Sequence, residues 1–175
     1  RLYEEVSKLY DNVNLLIFGD HGQTMVKEYV DIPLEYDRYV EGWDYLYLKS
    51  SAAIQFWIFN DLVKKHILKD PILKKYGEFI DSPSKRQGDL IWRANKGILV
   101  SPCHFHNKND APVSMHGYDP KLDTEKGFAI VVDGKHKGII EEASLLDICP
   151  TITDLVGIRN TKFNEGKSLC INTHK

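Results

Sequence analysis

A nearly continuous apolar run, VNLLIF, lies close to the start of this 175-residue chain and ends in the polar turn GDHGQT. The run covers residues 13–18 and carries no charge, which is typical of a strand covered on both faces in a parallel sheet. Before it, the apolar positions Leu2, Val6 and Leu9 favour an amphipathic helix over residues 1–10. A helix followed by a buried strand predicts an α/β fold.

Later segments carry further signals of regular structure. Strands are predicted near residues 97–101 and 127–132, where apolar runs follow a glycine. A helix is predicted near residues 144–156, and Gly157 is well placed to end it. Residues 26–44 combine tyrosines and acids with the breakers Pro33 and Gly42 and indicate a surface excursion with at most short strands. We expect the excursion between residues 26 and 96 to lie outside the main sheet.

Within that stretch, the segment DYLYLKSSAAIQFWIF predicts two short strands or a hairpin. The segment FNDLVKKHILKDP predicts a helix that Asn60 or Asp61 caps and that Pro71 ends or restarts. Aromatic residues in such strands pack in a core more often than they bind a ligand. We therefore predict core positions for the three tryptophans, Trp43, Trp57 and Trp92.

Composition limits the classes of partner. The chain has 23 Lys and Arg against 25 Asp and Glu, a formal net charge of -2, so neither nucleic acid nor an anionic membrane is expected as a general partner. Its apolar runs are far shorter than the roughly 18 residues of a membrane span. The cysteines are odd in number and widely spaced, which indicates thiols rather than a disulfide framework or a zinc site: Cys103, Cys149 and Cys170.

Two side chains that can bind a metal, Asp20 and His21, stand where the first predicted strand ends. Ligands of open α/β sheets bind beyond the carboxyl ends of strands, and the flanking Gly19 and Gly22 let the backbone turn sharply and approach a ligand. An Asp oxygen with a His nitrogen suits zinc, manganese or iron better than calcium. By spacing alone, such a pair is more often a turn cap beside a hydrogen-bonded histidine than a pair of ligands, and both interpretations stay open.

A second cluster, residues 103–120, contains three of the seven histidines in a loop-like stretch. His104 and His106 would face one side of an extended chain and could form a small metal site, but their polar surroundings favour an ordinary exposed loop. His116 precedes Gly117, which again frees the backbone beside a histidine. A metal ligand and a buried, hydrogen-bonded histidine are equally good interpretations of His116.

Three segments, LLIFGDHGQT, SMHGYDP and LLDICPTITDLVGI, together resemble the C-terminal half of the catalytic domain in the type I phosphodiesterase and nucleotide pyrophosphatase family, within the alkaline phosphatase superfamily. The resemblance implies that residues 1–175 form the C-terminal portion of one alkaline-phosphatase-like doubly wound α/β sheet. It also implies a small inserted α+β subdomain at residues 26–100. Gln23 stands where the family commonly has Met.

The resemblance also implies roles for individual residues. The Asp and His of the family's DHG turn bind one zinc of a pair, and the His of HGY binds the other, which carries over to Asp20, His21 and His116. Tyr118 and Asp119 become candidates to accept or orient the second N–H of a ligating histidine, although an Asp-Pro pair is equally typical of a plain turn. The implied cofactors are two divalent metal ions, zinc or, as the alternative, manganese.

The implied activity is hydrolysis of phosphodiester or phosphoanhydride bonds in a phosphate-ester or nucleotide substrate. A metal pair needs about six or seven protein ligands, and three are identified here. We therefore expect the nucleophile and the other ligands in an N-terminal half of the domain, no catalytic nucleophile in residues 1–175, and no activity of this chain alone. A phosphomonoesterase or sulfatase of the same superfamily, or a non-catalytic half-domain acting as an interaction module, stays open.

Overall fold

The computed structural model describes residues 1–135 and 138–170. The backbone groups into two units, one formed by Arg1–Asp20 with Gly127–Lys175 and the other by His21–Lys126. The second unit contains the whole of the stretch from 26 to 100. The boundary between the units falls inside the DHG turn, so that Asp20 belongs to the first unit and His21 to the second.

The described residues form ten strands and four α-helices, and most of the strands follow one another directly along the chain. The strands are β1 Leu15–Phe18, β2 Thr24–Met25, β3 Glu28–Val30, β4 Tyr45–Lys49, β5 Ala53–Ile58, β6 Gly77–Ile80, β7 Leu90–Ala94, β8 Ile98–Val100, β9 Ser114–Met115 and β10 Ala129–Val132. The α-helices are α1 Leu2–Ser7, α2 Asp61–Ile67, α3 Pro71–Tyr76 and α4 Ile148–Leu155, with 3-10 helices at Lys85–Gln87, Asp123–Glu125 and Leu145–Asp147. None of the helices in this part of the chain is long and apolar enough to cross a membrane.

In the first unit, β1 and β10 pair antiparallel, with Leu15 opposite Val132. Both strands occur where the sequence predicts them. The expectation that β1 is buried on both faces of a parallel sheet is wrong, because its partner runs antiparallel and Ile17 and Phe18 are 44% and 45% exposed. An apolar run favours an extended backbone, but it does not specify the direction of the neighbouring strand.

The C-terminal helix of the first unit also follows its prediction. Ser144 and Asp147 form a capping box at its start, in which the Ser144 hydroxyl accepts a hydrogen bond from Leu146 N and the Asp147 carboxylate accepts one from Ser144 N. α4 is partly buried and ends at Leu155, with Val156 as its C-cap. Gly157 follows with a φ of +69°. A glycine at that point satisfies the left-handed conformation that commonly terminates a helix.

The second unit is built on an antiparallel sheet in the order β4-β5-β7-β6. β4 and β5 form the predicted hairpin, and α2 and α3 contribute Val63, Ile67 and Leu73 to a core that also contains strand residues of the sheet. As predicted, the Asn60 side chain caps α2 and the helix restarts at Pro71, the first position of α3. Asp70, for which no cap was predicted, caps α3.

The three tryptophans of this unit have different environments. Trp92 is fully buried and donates a hydrogen bond from Nε1 to Leu73 O at 2.8 Å, whereas Trp57 is half-buried. Trp43 is 83% exposed, so its predicted core position is wrong. It lies in the turn before β4, with its backbone N bonded to Val40 O, rather than in a strand that one face of the sheet could cover.

Two further strand pairs complete the second unit. β3 runs parallel to β8, which lies within the predicted strand near 97–101. β2 runs antiparallel to β9, with Thr24 opposite Met115 and Met25 opposite Ser114. This short ladder joins the segment that follows the DHG turn to the segment that precedes the HGY turn.

Candidate metal centre

The β2–β9 ladder brings two predicted ligands together. Because the strands are antiparallel, the chain just before Thr24 lies beside the chain just after Met115. The imidazole ring of His21 stacks on that of His116, with ring centroids 3.8 Å apart and planes 16° from parallel. Both histidines are exposed, so the stacked pair is accessible at the surface of the second unit.

Gln23 contributes a side-chain bond to the same ladder. The hydroxyl of Ser114 donates to Gln23 Oε1 at 2.6 Å. A methionine, common at this position in the family that the sequence resembles, has only a weakly accepting sulfur there. The departure from the family pattern therefore adds a polar contact between the two strands that carry the histidines.

The protonation of His21 is indicated by its nearest backbone partner. Its Nδ1 lies 2.8 Å from the carbonyl oxygen of Gly22, which can only accept a hydrogen bond. This contact favours a proton on Nδ1, so that in the neutral imidazole the lone pair is on Nε2. A histidine that gives one N–H to a carbonyl and keeps the other nitrogen as an acceptor is in the form that binds metals.

Glu125 links the segments that carry the two histidines, although the sequence analysis did not single it out. The side chain is only 9% exposed, and its Oε1 accepts a hydrogen bond from Thr24 Oγ1 at 2.8 Å. Its Oε2 accepts bonds from Gly117 N at 2.7 Å and Tyr118 N at 3.1 Å. No local pattern in the sequence points to this residue, because Thr24 is 101 residues away and the strand pairing is needed to bring it near.

The glycines of the two turns are required for different reasons. A Cβ on Gly22 would lie 2.2 Å from Thr124 O, and the Gly22 N–H donates to Glu125 O at 2.9 Å. Gly22 therefore allows a close approach between two backbone segments, whereas the sequence suggested an approach to a ligand. Gly117 has a φ of +95°, a conformation that other residues rarely adopt.

The predicted neighbours of the ligands, Tyr118 and Asp119, have structural partners. The Tyr118 hydroxyl donates to Ile98 O at 3.0 Å, and burial together with the charge of Glu125 raises the pKa of Tyr118 to about 12. Asp119 lies 3.5 Å from the Arg93 guanidinium, and its Oδ1 accepts a hydrogen bond from Lys121 N. The latter contact is that of an Asx turn, and a role of either residue beside a ligating histidine stays a prediction.

The other two loop histidines, His104 and His106, contact different residues near the β4–β5 connection. His104 Nδ1 lies 2.9 Å from Lys49 O, and His106 Nε2 lies 3.1 Å from the hydroxyl of Ser51. The sulfur of Cys103 is 3.5 Å from the His106 ring nitrogens. Within residues 1–135 and 138–170, no three His, Cys, Asp or Glu side chains are grouped so that they could hold a metal ion.

Comparisons with known proteins give a fold. No protein-family model and no curated protein matches the sequence. Human ectonucleotide pyrophosphatase/phosphodiesterase 5 is similar in structure, with a TM-score of 0.62 and 19% sequence identity over 90% of this chain and 44% of that chain. Two structures of the murine protein, one of them an inactive variant in complex with AMP, give a TM-score of 0.48 and 19% identity over 73% of this chain and 35% of theirs.

The chain thus spans less than half the length of these proteins. With the human structure matching 90% of this chain, the predicted α/β class is confirmed. This chain has an alkaline-phosphatase-like α/β fold of the nucleotide pyrophosphatase/phosphodiesterase kind.

Proposed function

We propose that this chain contributes part of a two-metal centre to a hydrolase of phosphodiester or phosphoanhydride bonds. The observation that carries the proposal is the stacking of His21 on His116 at 3.8 Å. The fold supports it, because the similar human structure is that of a pyrophosphatase/phosphodiesterase. The proposed substrate is a nucleotide or another phosphate ester.

The stacked geometry favours two ions over one. The lone pair of an imidazole nitrogen lies in the plane of its ring, and these two planes are only 16° from parallel. Their lone pairs therefore cannot point at one shared ion without a rotation of the rings. Metal pairs in phosphatases and nucleases are about 3.5–4 Å apart, so two rings side by side suit a pair of ions better than one shared ion.

The chemistry of the donors fits zinc, with manganese as the alternative. We assign Nε2 of His21 to one ion and the His116 imidazole to the other, and Asp20 is added as a ligand on the strength of the DHG resemblance. Metal ions so bound would stabilise charge on the phosphate and favour deprotonation of a hydroxyl nucleophile. The Gly22 carbonyl holds the His21 ring in the tautomer that this role requires.

The remaining ligands and the nucleophile are proposed to come from residues outside this sequence. A metal pair needs about six or seven protein ligands. The described residues hold the two stacked histidines without a third His, Cys, Asp or Glu grouped to complete a site. Thr24, a hydroxyl close to the turn, is only 2% exposed and bonds to Glu125, so it is not placed to attack a substrate.

Hydrolysis of bis(4-nitrophenyl) phosphate, with and without added zinc, tests this proposal. The 175-residue chain should show no turnover, whereas a longer protein that contains it should show metal-dependent turnover. In the longer protein, His116→Ala should lower kcat/KM by about 100-fold or more, since loss of even an outer partner of a metal site costs about 10–100-fold. His104→Ala is the matched control and should change kcat/KM little. Metal-dependent turnover by residues 1–175, or full activity of His116→Ala, would overturn the proposal.

A further inference from the structure

We propose that Glu125 is a positioning residue that holds His21 and His116 in the stacked arrangement of the metal pair, an inference that rests on the function proposed above for the two histidines. The hydrogen bonds of the Glu125 side chain go to Thr24, Gly117 and Tyr118 and not to either imidazole ring. Glu125 acts on the backbone beside each of them.

The residue that follows each histidine bonds to Glu125. Gly22 N, next to His21, donates to the backbone oxygen of Glu125 at 2.9 Å. Gly117 N, next to His116, donates to its carboxylate at 2.7 Å. One residue therefore fixes the exit from both turns, and it does so from the 3-10 helix Asp123–Glu125, which belongs to neither strand of the β2–β9 ladder.

The side chain of Glu125 joins the same two segments a second time. Oε1 accepts from Thr24 Oγ1 in β2, and Oε2 accepts from both Gly117 N and Tyr118 N after β9. The β2–β9 ladder itself is only two residues long on each strand. The separation of the histidines consequently depends on the carboxylate more than it would beside a long ladder.

An ionised carboxylate suits this position and few other groups do. It is an acceptor at both oxygens, and all three of its bonding partners at this site are donors. Burying a carboxylate at 9% exposure is unfavourable unless such donors surround it. Glutamine has nearly the same shape, but its NH₂ group only donates, so the Thr24 hydroxyl would have to turn away and accept, and the bonds from Gly117 N and Tyr118 N would lose the charge of the carboxylate.

The test compares Glu125→Gln with two other variants of the 175-residue chain. Thr24→Val keeps the shape of the side chain and removes the hydroxyl that donates to Oε1 and that also bonds to the Thr124 hydroxyl. Val63→Ala is the control, because Val63 is fully buried in the core of the same unit but belongs to α2. The two readouts are the nuclear Overhauser effect between the His21 and His116 rings without metal, and zinc affinity measured by competition with a chromophoric chelator.

We expect Glu125→Gln to lose the ring-to-ring Overhauser effect and to bind zinc about 10-fold or more weakly. Thr24→Val should show the same changes to a smaller extent. Val63→Ala should unfold at a lower urea concentration than the wild type. Its folded form should keep the Overhauser effect and the zinc affinity of the wild type. If Glu125→Gln does not fold, Thr24→Val decides.

A folded Glu125→Gln variant that keeps the ring contact would overturn the positioning role, as would a Val63→Ala variant that loses it. The two proposals fail separately. If His116→Ala keeps full metal-dependent activity in a longer protein that contains this chain, the function proposed for the histidines is wrong, while loss of the Overhauser effect in Glu125→Gln would still establish the positioning role.

Discussion

The His21 and His116 rings stack at a centroid distance of 3.8 Å, although the two residues lie in segments far apart in the sequence. Antiparallel pairing of β2 with β9 places their backbones side by side, and Glu125 bonds to the residue after each of them. The stack is therefore a product of the tertiary structure of the second unit, and its response to substitution can be predicted from the contacts around it.

Gly22→Ala should destabilise the second unit and disturb the histidine stack. The added Cβ would lie 2.2 Å from Thr124 O, a distance that no side-chain rotation can relieve because both groups are fixed to the backbone. We expect a loss of about 1–3 kcal/mol in the free energy of unfolding, measured by urea titration of tryptophan fluorescence. All three tryptophans lie in this unit, so the signal reports on it.

The matched control for Gly22→Ala is Gly42→Ala. Gly42 has a φ of +90°, and nothing lies within 4 Å of the position that an added Cβ would take. Alanine there therefore introduces backbone strain of about 1–2 kcal/mol without a steric clash. It should leave the Overhauser effect between the histidine rings intact. A Gly22→Ala variant of wild-type stability with an intact stack would show that the backbones at this point separate easily.

Trp92→Phe should destabilise the second unit strongly. The indole is fully buried, and its N–H satisfies Leu73 O at 2.8 Å. Phenylalanine would remove this bond, leaving Leu73 O with the bond from Gly77 N, and would leave the space of one ring unfilled. We expect a loss of about 2–4 kcal/mol in the free energy of unfolding, measured by circular dichroism in urea. Trp43→Phe, at an 83% exposed position, should stay within about 0.5 kcal/mol of the wild type. Equal effects of the two substitutions would contradict the assigned environments.

Alkaline pH should destabilise the second unit partly through Tyr118. Burial and the charge of Glu125 raise its pKa from 10.0 to about 12, so the unfolded chain loses this proton at lower pH than the folded chain. The stabilisation is therefore complete below about pH 10 and is lost as the pH rises from 10 towards 12. Urea midpoints measured across this range should fall less steeply for Tyr118→Phe than for the wild type. Identical slopes would mean that Tyr118 is not buried beside the Glu125 charge.

Local signals in the sequence predict much of the fold. Asn60 and Asp70 bond to the first backbone amides of α2 and α3, and Gly157 follows the end of α4 in a left-handed conformation, because caps and terminating glycines act within a few residues of themselves. The strand positions likewise follow from short apolar runs. The sequence does not predict that the partner of β1 runs antiparallel, because this partner is a segment more than a hundred residues away.

The site divides in the same manner. The DHG and HGY turns single out His21 and His116 by residue type and by the glycines beside them, and the structure brings these two histidines together. Glu125 carries no such mark, because an acidic residue in a polar turn is ordinary on a protein surface. Its burial depends on donors from two other segments, which only the folded chain supplies.

Titration of the 175-residue chain with zinc, followed through the imidazole ¹⁵N resonances of all assigned histidines, tests the central claim most directly. We predict that the Nε2 resonance of His21 and a ring nitrogen of His116 shift together on zinc binding, while Nδ1 of His21 keeps its proton to Gly22 O and His104 and His106 stay unchanged. His116→Ala should remove the shift at position 116 and leave the shift of His21 Nε2 in place, because the two histidines are assigned to different ions. Shifts confined to His104 and His106, or loss of the His21 shift in His116→Ala, would contradict this assignment.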